Sequence, residues 1–153
     1  MSPLSRIFQI ANRITLIAWI ALLISLFVDD YRSQIHTVLF SAVIFALCAL
    51  YSYLMFFGKS LDKPGEAPRG NFTSLKGVMS LFKSPRAVLA GWIHYLAFDL
   101  LVGILISQHA LQHGISAFIL IPVLLLTLML APAGLMVYFL LFGLTNGSWL
   151  LMF

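Results

Sequence analysis

Two ionisable side chains stand where hydrocarbon is expected. Asp99 and His94 lie in Trp92-Ile93-His94-Tyr95-Leu96-Ala97-Phe98-Asp99-Leu100-Leu101-Val102-Gly103, inside an apolar run over residues 88–107. At about 1.5 Å per residue, that run is long enough for a helix to cross a bilayer. Asp99 falls near its middle, and His94 is about 7.5 Å closer to one end. A carboxylate at mid-membrane costs several kcal/mol, ~3 on insertion scales. Nothing in helix formation requires that cost, so Asp99 is the leading candidate for chemistry. Hydrocarbon disfavours the charged form, which makes Asp99 a neutral acid able to donate a proton. An acid and an imidazole in a dry pocket suit paired protonation and proton abstraction. Five residues apart, the two side chains point about 140° apart around a helix. They would line opposite walls of one groove or meet different helices. The structural alternative for either is an interhelical hydrogen bond, worth about 1 kcal/mol.

Fewer options exist elsewhere. Asn12 and Arg13 are polar positions early in the first apolar run. Arg13 can reach the headgroups with its long side chain, whereas Asn12 is expected to bond across helices. His109 and His113 have the i, i+4 spacing of metal ligands, but no third Cys, His, Asp or Glu lies near them, so no metal is expected. Cys48 is the single cysteine and sits in an apolar segment, as a small buried hydrophobe does. There is no Gly-rich phosphate loop, no nucleophile elbow and no carboxylate–histidine cluster. That argues against ATP-driven transport, hydrolase chemistry and di-iron chemistry, and no cofactor is expected.

The elements that must position these residues follow from composition. Of 153 residues, 61% are hydrophobic and 9% charged, with mean hydropathy +1.02. A soluble domain is about half apolar and a quarter charged. The expected fold is therefore an all-α membrane protein, one four-transmembrane-helix bundle with spans of about 8–28, 35–57, 88–107 and 115–142. Asp29-Asp30-Tyr31-Arg32-Ser33 would be a tight polar turn. Residues 58–87 form the one long polar segment. Within it, Phe72, Leu75, Met79 and Phe82 recur at helical spacing, with Lys76 and Lys83 on another side. This suits a short interfacial helix between spans 2 and 3, begun by Asn71 or Ser74 and stopped by Ser84-Pro85. Pro122 and Ala131-Pro132-Ala133-Gly134 would kink the fourth span, and Trp149 would anchor the tail. Basic residues cluster at the amino end and in 58–87, while 108–114 has no Lys or Arg. This predicts an inner-membrane, multi-pass protein with both termini and the long loop cytoplasmic. The net charge of +4 reads as a topology signal, with no nucleic-acid partner. Membrane lipid is the expected partner, and a homo-oligomer is compatible with the pattern.

The chain also resembles the abscisic-acid-deficient-4 family, the neoxanthin-synthase-like membrane proteins of plants, and in particular its bacterial-type members. The resemblance rests on Phe8 with Ala11-Asn12, on Ser74-Leu75-Lys76-Gly77 with Leu81-Phe82 and Pro85, and on the third-span stretch Trp92–Leu100 with Gly103. Gly114-Ile115 and Pro132 with Gly134-Leu135 follow in order. The family pattern implies a small four-helix membrane protein. Its plant members are associated with making neoxanthin from violaxanthin, a carotenoid isomerisation that opens an epoxide, loses a proton and forms an allene. The resemblance thus implies an apolar pigment or terpenoid ligand; Asp99 and His94 are the one matched pair of suitable type, and their roles as acid and base are assigned here from their chemistry. Asn12, Trp92, Tyr95, Phe98 and Gly103 are the expected substrate contacts. Where family members carry basic residues after the Gly103 position and at the end of the fourth span, this chain has Ile104-Leu105 and Leu141-Phe142-Gly143. A non-catalytic lipid- or pigment-binding module, or a partner subunit, is the alternative, and proton-coupled transport through Asp99 a third reading.

Overall fold

The computed structural model describes residues 2–65 and 70–147, and those residues form six helices with no strand. The anchoring role expected of Trp149 lies outside them. α1 is Pro3–Ser25, α2 Asp29–Leu61, α3 Leu75–Leu81, α4 Pro85–Gln112, α5 Ala117–Met129 and α6 Ala131–Asn146. Three of them, α1, α2 and α4, are long and apolar enough to cross a membrane.

These helices extend beyond the predicted spans because polar residues at their ends also favour helix. Asp29 and Asp30 were expected in a turn, yet they begin α2, where first-turn acids face the positive end of the helix dipole. Pro85, expected as a stop signal, is the first residue of α4, a position where its missing N–H costs nothing. α3 starts where Ser74 accepts a hydrogen bond from the Gly77 backbone N–H at 3.1 Å. Around this helix Phe72, Leu75, Met79 and Phe82 are all exposed.

The expected fourth span differs most. Residues 115–142 do not form one kinked helix. The chain breaks at Leu130 (φ −151°, ψ 81°) into α5 and α6. Pro132 sits in the first turn of α6, where proline is tolerated, and cannot continue α5. α6 folds back on α5 so closely that a Cβ at Gly134 would lie 2.6 Å from Thr127 Cα. In a straight helix those two positions would be about 10 Å apart.

Clustering of contacts divides the chain into two compact units. The first holds residues up to Ile14 together with Phe45–Ala97, and the second Thr15–Ile44 together with the residues from Phe98 onward. In the first, Ala11, Leu47, Leu54, Ala90, Ile93 and Ala97 are buried. The helical turns widen to π geometry over Tyr53–Phe57, which frees backbone carbonyls. Arg86, only 6% exposed, takes them up: its Nη1 donates to the Leu54 and Met55 carbonyl oxygens, and its Nε pairs with Asp62 Oδ1 at 2.9 Å. In the second unit the core is built from Trp19, Leu22, Leu100, Ile104, Leu120, Leu124 and Tyr138. Its α1–α2 turn is closed by Arg32, which donates to the Ser25 and Leu26 carbonyl oxygens and pairs with Asp29.

Candidate functional site

The seam between α1 and α4 carries most of the residues singled out from sequence. Both helices run from the first unit into the second. In the first unit, Trp92 Nε1–H donates to Asn12 Oδ1 at 3.2 Å, while Asn12 Nδ2 donates to the Phe8 carbonyl at 2.7 Å. Phe8 and Trp92 pack with ring centroids 5.8 Å apart, and Tyr95 stacks on Trp92 at 6.5 Å with planes 10° apart. Asn12, Trp92 and Tyr95 are thus brought together. Beside them lies an open cavity of about 590 Å³ lined by Leu4, Phe8, Val88, Leu89 and Trp92, with Lys83 at its edge.

His94 points elsewhere. It stacks at a tilt on Tyr51, centroids 5.6 Å apart, in a 260 Å³ cavity with Met55, Phe72, Leu81, Phe82 and Gly91. That cavity does not include Asp99. The expected acid and base occupy one helix, but they fall in different units and do not share this groove.

In the second unit, Gly103 packs flat against Trp19: a Cβ there would meet Trp19 Cη2 at 2.6 Å and Leu22 Cδ2 at 3.1 Å. The missing side chain of Gly103 therefore leaves the space that the Trp19 indole fills. Asp99 lies one turn before Gly103 on the same face of α4, and Thr15 one turn before Trp19 on the same face of α1. Counted back one turn from the Gly103–Trp19 contact, Thr15 and Asp99 are expected on neighbouring turns of the two helices. All three polar groups are buried: Thr15 is 2% exposed, Trp19 1% and Asp99 5%. Among the described residues Thr15 Oγ1 and Trp19 Nε1 have no hydrogen-bond partner, and Asp99 makes no hydrogen bond or ion pair. Buried polar groups without a partner, as Thr15 Oγ1 and Trp19 Nε1 are, are costly and uncommon in a native interior. Phe98, beside them on α4, is 48% exposed.

Thr15 and Trp19 were not anticipated as site residues. A signal did exist, because Asn12, Thr15 and Trp19 follow one another at spacings of three and four along one face of α1.

At the far end of α4, His109 Nδ1 lies 2.6 Å from Tyr138 Oη, and the His113 ring stacks on His109 at 4.2 Å while its Nδ1–H donates to the His109 carbonyl at 2.8 Å. The i, i+4 pair is thus held in local bonds. Among the described residues no three His, Cys, Asp or Glu side chains converge on a metal position.

Three apolar helices of crossing length, with no strand among the described residues, fit a membrane protein. The family described as ABA DEFICIENT 4-like matches residues 6–138, most of the chain, and the protein belongs to that family. No curated protein and no solved structure matches it.

Proposed function

We propose that the protein is an inner-membrane, multi-pass protein with a cytoplasmic amino terminus that acts on a long apolar isoprenoid of carotenoid type, and that Asp99 is its proton-transferring group. The observation that carries this reading is that Asp99, 5% exposed, lies one turn from the Gly103–Trp19 contact, with Thr15 Oγ1 and Trp19 Nε1 buried and without a hydrogen-bond partner among the described residues. An oxygen-bearing end of a polyene would supply the missing partners: Thr15 O–H and Trp19 Nε1–H can donate to it, and Asp99 can protonate it. For an epoxide end group, the Asp99 proton passes to the epoxide oxygen as one C–O bond breaks. The carboxylate left behind then takes a proton from the carbon next to the opened ring, on its other oxygen, restoring the acid. No atom is gained or lost, so the step is an isomerisation and needs no redox partner. A single carboxyl serving both transfers replaces the division of labour between Asp99 and His94, because His94 opens onto its own cavity.

The test is expression in a carotenoid-making host followed by pigment analysis. The wild-type chain should produce a new isomer, Asp99→Asn should abolish it at equal protein level, and His94→Gln should keep it. An unchanged pigment profile with the wild-type chain sinks the proposal.

A second reading has its own support in the 590 Å³ cavity at Phe8 and Trp92, whose walls are mainly apolar. On that reading the protein binds a lipid or pigment without converting it. Trp92→Ala would then strip a co-purifying pigment, while Asp99→Asn would retain it. The exposed apolar residues of α3 with Lys76 and Lys83 fit a helix lying in the membrane surface on either reading.

A further inference from the structure

We infer that α5 and α6 form a re-entrant hairpin that enters and leaves the membrane on one side, so that the chain crosses three times and Pro3 and Asn146 lie on opposite sides. Length is the first ground. At about 1.5 Å per residue, α5 is about 20 Å long and α6 about 24 Å, whereas the hydrocarbon core is about 30 Å thick. Neither helix reaches across, and the break at Leu130 prevents them from adding end to end.

The second ground is where the ends of the hairpin are held. Phe118, in the first turn of α5, packs edge-on against Phe27 in the α1–α2 turn, ring centroids 5.6 Å apart. Phe142, near the end of α6, packs against His109 and His113 in the last turns of α4, at 4.8 and 5.0 Å. The α1–α2 turn and the end of α4 both follow an odd number of crossings and so share a side. Both ends of the hairpin are therefore fixed at that side, and its tip points inward.

The depth of the tip can be read from the His109–Tyr138 bond. Leu130 lies eight residues before Tyr138, about 12 Å along α6, and Asp99 lies ten residues before His109, about 15 Å along α4. The tip therefore stops level with Asp99. Irregular backbone at that depth is tolerated only where protein surrounds it; at the tip Ala131 is 5% exposed, while the apolar side chains of Met129 and Leu130 are exposed at 71% and 52%. Gly134 against Thr127 lets the two arms close to backbone contact there, and Thr127 Oγ1 bonds back to the Val123 carbonyl rather than asking for an outside partner. This departs from the four crossings and the cytoplasmic carboxyl end expected from the apolar runs.

Single cysteines test it in the full-length chain with Cys48→Ala as background. Gln112→Cys, Asn146→Cys and Lys63→Cys are each labelled in intact cells and in inverted vesicles with a membrane-impermeant maleimide. Gln112 and Asn146 should label on the same side and Lys63 on the other. Labelling of Asn146 on the Lys63 side means four crossings and overturns the inference. A reporter enzyme fused after the last residue, active only outside the cytoplasm, gives an independent reading: activity supports three crossings and its absence opposes them. Neither readout depends on the pigment chemistry, so topology and proposed function fail separately.

Discussion

Adding one methyl group at Gly103 tests the seam that holds Asp99. The Cβ of Gly103→Ala would lie 2.6 Å from Trp19 Cη2, 3.0 Å from Trp19 Cζ3 and 3.1 Å from Leu22 Cδ2. Carbon atoms pack best at about 3.5–4.0 Å, so the indole must retreat by about 1 Å. Trp19 is 1% exposed, so the indole must move against packed neighbours. Overpacking of this kind costs about 1–3 kcal/mol. Trp19→Phe removes the outer ring atoms that the new methyl would strike. Alone it should destabilise by opening a cavity, but in that background Gly103→Ala should cost less than about 0.5 kcal/mol. The coupling expected between the two sites is then about 0.5–3 kcal/mol, within the range for residues in contact. Reversible unfolding in mixed micelles of mild detergent and SDS, followed by helical circular dichroism, measures all four corners of the cycle. A neutral Gly103→Ala, or effects that simply add, would show that α1 and α4 do not meet here, and the placement of Thr15 and Asp99 on neighbouring turns would fall with it.

Other substitutions probe the polar groups. Arg86→Met should destabilise by about 3–5 kcal/mol in the same assay, because Asp62 is left buried without its partner, and Arg86→Met with Asp62→Leu should recover part of the loss. A double variant no better than the single would point instead to the Leu54 and Met55 carbonyls as the groups that need Arg86. Thr15→Val should leave stability unchanged or raise it by up to about 1 kcal/mol, since it replaces a buried hydroxyl that has no partner with a methyl group of similar size. The same change should lower pigment conversion, and a stability loss above about 1 kcal/mol would mean that the hydroxyl is bonded in the folded chain.

Three crossing helices were legible because a bilayer imposes a length, and a run of about 20 apolar residues answers it. The helix ends were less legible. Asp29 and Asp30 suit a turn and the first turn of a helix equally well, and Pro85 suits both a stop and a start. The α5–α6 hairpin was hidden for a different reason. Apolarity reports burial in hydrocarbon, and one long crossing and two half-length arms are equally apolar. What separates them is a close approach between residues seven apart, Thr127 and Gly134, which depends on Gly134 having no side chain. Asp99 stood out because its cost is intrinsic to the residue type and its position in the run. Thr15 and Trp19 carry no such cost alone. A threonine in a membrane helix normally bonds its own backbone, as Thr127 does, and an indole usually finds an acceptor. Only packing reveals that neither does so here. The angle between His94 and Asp99 was readable from their spacing of five, but which helix each would meet was not. That depended, within the second unit, on Gly103 admitting the Trp19 indole and, within the first, on Phe72 and Phe82 lining the cavity at His94.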